Sequence, residues 1–320
     1  MTYQRAAISD DLYSLPKLPA WVTAGRAETP ETVAFRSGAA FMVLDTLVTD
    51  SKFGAPVKLL VNRLALKTAT TTSKLEGRLA REVDIGDAYH LTPAGEARGP
   101  DGDALAFWRD ASRLRMNDKN WHRGLGDVVG PNFADEAVGW LASGADRLRT
   151  HGPLVGCTSV MRAVLEADDR AERLACLLSD VVLARALNWA TILPVSAQRL
   201  TKAMLRDLIA EGQGGALTVQ WEILKSVEDT IRLARELASK AAALRAVAPK
   251  LRAKGSMAAV DLFLSEDAVA PSTMLSPSVQ GTTIAMTDRA ARRFCDRLVE
   301  LGVAQELTGR PTFRLYGIAP

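Results

Sequence analysis

Four arginines recur within a short stretch, at Arg289, Arg292, Arg293 and Arg297. Each guanidinium presents a rigid fork of N–H donors, which suits phosphate oxygens and the acceptor edge of guanine. In the same stretch Ala291, Phe294, Leu298 and Leu301 recur at three- and four-residue steps. That spacing predicts one apolar helical face, with the arginines off it. Thr287 reads as the N-cap, its hydroxyl placed to accept a first-turn N–H. Asp288 suits the positive end of the helix, and Gly302 is a C-terminal stop. A solvated surface helix carries the same charges, so the arginines gain meaning only from their neighbours.

Those neighbours have an order. Met257 to Leu264 is a short apolar helix, and Glu266 to Leu275, broken by Pro271 and Pro277, reads as a second helix or a turn. After the arginine helix, Val303 to Leu307 is strand-like, Thr308-Gly309-Arg310-Pro311 is turn chemistry, and Thr312 to Ile318 is a second strand. Along that strand Phe313, Leu315 and Gly317 alternate with Arg314, Tyr316 and Ile318. Helices, an arginine-faced helix and a hairpin give the order of a winged helix-turn-helix over residues 256–320. Such a unit lays its helix in a major groove, while Arg310 at the hairpin tip reaches a minor groove or the backbone. Residues 248–255 form a basic linker with Lys250, Arg252 and Lys254. The linker is either a solvated connection or a strap that adds phosphate contacts without sequence information. The candidate nucleic-acid-binding set is therefore Arg289, Arg292, Arg293, Arg297, Arg310, Arg314, Lys250, Arg252 and Lys254.

The rest of the chain must position this unit. Of 320 residues 48% are hydrophobic, 24% charged and only 6% aromatic, and the net charge is +3. Abundant Ala and Leu favour packed helices, so the fold class is mainly α, with a small hairpin wing at the C-terminal side. Residues 1–30 read as an irregular lead-in and residues 31–247 as an all-α region. Helices are expected at Glu31–Thr49, Val57–Glu76, Arg81–His90, Asp103–Leu114, Asp135–Arg149, Leu154–Ala167, Arg170–Trp189 and Ser196–Ile209, with a long loop at Asn117–Pro131. From Leu217 to Val247 the stripe Leu217, Leu224, Val227, Ile231, Ala234, Ala238 and Ala241 predicts a long amphipathic helix. Its small alanines favour packing within the chain, and a homodimer seam stays open as the alternative.

Other chemistry is sparse. Cys157, Cys176 and Cys295 form no Cys-x-x-Cys pair, and His90, His122 and His151 are dispersed. No disulfide framework or metal site is expected, and no cofactor is called for. There is no P-loop, no dinucleotide glycine fingerprint and no Gly-x-Ser-x-Gly elbow. The acidic pairs Asp168-Asp169 and Glu266-Asp267 read as surface or helix-end charges. Trp108, Trp121, Trp140, Trp189 and Trp221 read as core anchors, and Asp84, Asp87 and His90 as a structural polar cluster. The N-terminus carries no signal-peptide core, and no uninterrupted apolar run approaches the ~20 residues of a membrane span. The expectation is a cytoplasmic protein without a membrane partner.

The run Met286-Thr287-Asp288-Arg289-Ala290-Ala291-Arg292-Arg293, through Leu298-Val299-Glu300-Leu301-Gly302 to Leu307-Thr308-Gly309-Arg310, resembles the C-terminal winged helix that follows many Fic domains. The wider chain resembles an uncharacterised, often plasmid-borne bacterial family of unknown function. That likeness rests on Arg63-Leu64-Ala65-Leu66-Lys67, Asp87-Ala88-Tyr89-His90-Leu91 and Leu251-Arg252-Ala253-Lys254-Gly255. It implies a fold for the last third and no activity for the rest. A Fic site needs a histidine, a phosphate-binding glycine loop and an arginine, and His90, Gly95 and Arg98 match the spacing. Thr92, Glu96 and Ala97 depart from the pattern, and Glu96 would repel phosphates.

The functional expectation is a double-stranded-DNA-binding protein, a transcriptional or plasmid-associated regulator, and not an enzyme. A helical adaptor whose winged helix contacts protein is the second reading. A degenerate Fic-like nucleotide-handling enzyme is the remote third.

Overall fold

The computed structural model describes residues 14–24, 29–93, 95–131, 133–251, 254–309 and 313–318. Arg252, Arg310, Thr312 and the first thirteen residues of the lead-in lie outside these. The described fold is mainly helical, with one two-stranded antiparallel sheet. Two compact units form. One takes in Lys17–Thr49 and Leu64–Ile231, and the other Asp50–Arg63 and the chain from Arg232 onward.

The larger unit holds α1 (Ala20–Thr23), α2 (Pro30–Thr49), most of α3 (Val57–Leu75), α4 (Glu82–His90), α5 (Gly99–Ser112), α6 (Trp121–Val129), α7 (Ala134–His151), α8 (Pro153–Ala167), α9 (Glu172–Ala186), α10 (Lys202–Ala210) and the first half of α11 (Gln213–Val247). α8 packs against both α7 and α9, and α4 against α5. α9 is buried on every face from Leu174 to Ala184, Ser179 and Asp180 included, which makes it the central core helix of this unit. Trp108 is wholly buried and donates to Thr72 Oγ1 at 3.0 Å, and buried Trp189 donates to Asp45 at 2.9 Å. Trp121, Trp140 and Trp221 are only half-buried. The three cysteines are free and buried.

α2 is long and apolar enough, by length and composition, to cross a membrane. In this fold Val33, Ala40, Phe41, Leu44 and Leu47 pack inward from it. Its Arg36 makes a buried two-point ion pair with Glu228 of α11, Nε to Oε1 at 2.5 Å and Nη2 to Oε2 at 2.8 Å. The guanidinium also lies 4.9 Å from the Trp221 ring centroid.

Two expectations fail locally. Residues 121–129 are helical rather than loop, because Leu125 is buried and the helix runs through Gly124 and Gly126 before stopping at Gly130. The segment from Ser196 does not start a helix. Asp180 Oδ1 accepts the Val195 and Ser196 N–H groups at 3.1 and 2.9 Å, fixing a buried irregular stretch. α10 begins only at Lys202, where Thr201 caps it by accepting from Met204 N–H. Burial pushes the Asp180 carboxyl up to about 8.

The second unit contains a 3-10 turn at Ser51–Phe53, the start of α3, the end of α11, a 3-10 turn at Ala248–Lys250, α12 (Ser256–Phe263), a π-helical turn at Pro271–Leu275, α13 (Asp288–Glu300), β1 (Gln305–Glu306) and β2 (Tyr316–Gly317). The late α11 alanines Ala234, Ala238 and Ala241 are buried. Residues 50–63 belong to this unit through specific bonds. Asn62 donates to the Ser265 carbonyl at 2.8 Å, and Arg63 donates to the Ile318 carbonyl.

Candidate nucleic-acid interface

α13 forms as its sequence dictates. Thr287 Oγ1 accepts the Ala290 N–H at 3.3 Å, and Gly302, at φ +69°, follows its last turn. Ala291, Phe294, Cys295 and Leu298 are buried. Phe294 meets Phe263 of α12 at 6.2 Å between ring centroids, so the two helices share one core.

The strands are shorter than the alternation suggests and differently faced. β1 pairs antiparallel with β2, Gln305 opposite Gly317 and Glu306 opposite Tyr316. On the other side of β2, Val269 exchanges both backbone bonds with Tyr316, at 2.7 and 2.9 Å. Tyr316 is thus central, with neighbours on both sides, and residues 315–318 are all buried, whereas Phe313 and Arg314 are exposed. Simple in–out alternation fails because a central strand can be covered on both faces. Gly317 is required here: a Cβ would sit 2.6 Å from the Asp267 carbonyl oxygen. The Glu266–Leu275 stretch resolves into this single pairing residue and the π-helical turn. Between that turn and α13, Ser278 bridges Ala285 in a further small hairpin.

All four arginines of α13 are exposed. Their surroundings differ. Arg292 pairs with Asp288 at 3.0 Å, and Arg297 with Glu300 at 2.8 Å. Arg289 and Arg293, one helical turn apart, have no such partner among the described residues. Asp288, Asp296 and Glu300 share the polar arc, so the helix carries a net +1 rather than a uniformly basic face. Arg314 is exposed and lies 3.7 Å from Glu306. Lys250 and Lys254 are both exposed, at either side of the linker.

Sequence reasoning missed the residues that join the hairpin to α13. The Tyr316 hydroxyl donates to Asp296 at 3.1 Å, and burial raises the phenol above its usual range. A cleft of about 480 Å3 lies between the π-helical turn, α13 and the hairpin, lined by Pro271, Arg292, Asp296, Phe313 and Arg314. Phe313 is 73% exposed with φ +57°, a conformation that bulky residues rarely adopt. The signal for Val269 was present: a short apolar run, Ala268-Val269-Ala270, stopped by Pro271.

The His90 constellation sits apart, in the larger unit. His90 ends α4 and lies 3.4 Å from the buried Arg109, which covers the Tyr89 ring at 4.5 Å. Arg98 also lies over Tyr89, at 5.0 Å, and Gly95 is exposed at φ +90°. Among the described residues no group of three or more His, Cys, Asp or Glu side chains is arranged to hold a metal ion.

Comparison with curated proteins gives no match for this chain. A family match does extend over residues 6–318, and the chain therefore belongs to the family described as Protein of unknown function (DUF1403).

Proposed function

We propose that this chain is a DNA-binding protein of the regulator type, transcriptional or plasmid-associated, that docks α13 and the following hairpin on double-stranded DNA. The reading is supported by the order α12, Val269, a one-turn helix, α13, β1 and β2, with β2 between its two partners. That is the order of a winged helix, in which the hairpin is the wing and α13 the groove-facing helix. The observation that carries the reading is the pair Arg289 and Arg293, exposed, adjacent and unneutralised on α13. Arg292, Arg297 and Arg314 are supporting phosphate contacts, and Lys250 and Lys254 add salt-dependent affinity.

The test is a mobility-shift titration of the intact chain on double-stranded DNA at two salt concentrations. Residues 50–63 belong to the same unit as α13, so a fragment starting near Arg245 is not a fair probe. Binding that weakens with salt, and weakens further in the Arg289→Ala/Arg293→Ala double variant, is the expected result. No binding at low salt would sink the proposal.

The carboxylates interleaved on α13 favour a second reading, a helical adaptor in which this surface meets protein. It predicts capture of a partner that is unchanged when Arg289 and Arg293 are neutralised.

A further inference from the structure

The larger unit carries a groove of about 390 Å3 between α7 and α9, with the start of α6 on its wall. This is within the ~300–1,000 Å3 span of small-molecule sites. Val138, Ala142, Ala145 and Arg149 line it at steps of four, three and four residues, which is one stripe of α7. Eleven residue-to-residue steps at ~1.5 Å each make that stripe ~16 Å long. Its central members are alanines, whose small side chains leave room along the stripe. Leu141 and Val182 add apolar wall, and so does Trp121.

Charge enters with one sign. Arg149 and Arg185 line the groove, and no carboxylate does among the described residues. Arg185 is anchored, donating to the Met116 carbonyl at 3.0 Å with its guanidinium 5.4 Å from the Trp121 ring centroid. Trp121 in turn stacks on His122 at 3.7 Å. Among the described residues Arg149 is tied only to Asp146, and both side chains are about 70% exposed, so that pair is screened and easily exchanged.

We propose that this groove binds a free fatty acid of medium chain length. The tail lies along the alanine stripe against Val182 and Trp121, and the carboxylate is taken by Arg149 and Arg185. A cationic ligand would meet two guanidiniums. A short polar ligand would leave the apolar length unfilled. A neutral hydrocarbon would gain nothing from the arginines. A long, mostly apolar lining that includes two arginines fits a single-tailed anion.

Isothermal titration of the intact chain with decanoate, below its micelle concentration, tests this. One saturable site is expected, with decanol binding about tenfold more weakly because it lacks the charged head. Ala145→Phe, at an exposed position, fills the groove and should abolish binding while the thermal melt is retained. Arg149→Ala should weaken decanoate and leave decanol unchanged. Absence of saturable binding overturns the proposal, as does binding indifferent to both Ala145→Phe and Arg149→Ala. Equal affinity for decanol overturns the role of the arginines.

Discussion

Tyr316 donates its hydroxyl to Asp296 at 3.1 Å, pinning the central strand of the hairpin to α13. The ring itself is buried between neighbours on both sides. Tyr316→Phe keeps the ring and removes one hydrogen bond. A loss of ~0.5–1.5 kcal/mol in urea unfolding is expected. Unchanged stability would show that Asp296 is equally well served by solvent.

Gly317 approaches the Asp267 carbonyl too closely for any side chain. Gly317→Ala forces either the strand or the residue 267 backbone to shift. A destabilisation of ~1–3 kcal/mol is expected, the range for inserted volume in a packed interior. Thermal melts compared with Gly139→Ala separate the crowding from a generic glycine effect, because Gly139 has open space around it and no left-handed backbone.

Under the DNA-binding proposal, Asp288 and Glu300 set how far Arg292 and Arg297 are available to phosphate. Asp288→Asn releases Arg292 and should raise DNA affinity, whereas Arg293→Ala should lower it and reduce the salt slope by ~1. Anisotropy titrations across a salt series check both. An Asp288→Asn variant that binds less tightly would place Arg292 in a structural role.

α13 was legible in the sequence because every local signal agreed: cap, apolar period and glycine stop. The long α11 and the run α7 to α9 were legible for the same reason. Legibility failed where a partner far along the chain decides the local structure. The helix expected from Ser196 does not start there, because Asp180 takes the Val195 and Ser196 N–H groups. Val269 is a strand residue only because Tyr316 lies beside it. At the candidate site, composition showed which arginines exist, while which of them are neutralised depends on rotamers that Asp288 and Glu300 select.

The Asp180 carboxyl is fully buried and titrates near 8, against 3.8 for the free group. The folded protein therefore holds a proton that the unfolded chain releases. That contribution to stability is complete below about pH 4 and is lost as pH rises towards 8. Asp180→Asn keeps an acceptor for the Val195 and Ser196 N–H groups without the titration. Urea midpoints measured from pH 5 to 8 should fall in the parent and flatten in the variant; parallel slopes would assign the pH dependence elsewhere.

The buried Arg36–Glu228 pair gives an asymmetric expectation. Glu228→Ala removes the carboxylate that faces a buried guanidinium and should cost ~3–5 kcal/mol. Replacing both, as Arg36→Met with Glu228→Leu, should restore most of that loss in the same denaturation assay. A double variant as unstable as the single one would show that the Trp221 contact, rather than the charge, fixes Arg36.

Arg63 and the carbonyl it grips at Ile318 lie 255 positions apart in sequence. At ~5–20 residues per second, a ribosome needs ~10–50 s to travel between them. Leu59, Leu60 and Val61, buried in the folded chain and grouped in the same unit, are made at the start of that interval. Such long-range closure slows folding and leaves surface open to aggregation. The Arg63 end of this contact therefore waits without its acceptor until Ile318 has left the ribosome.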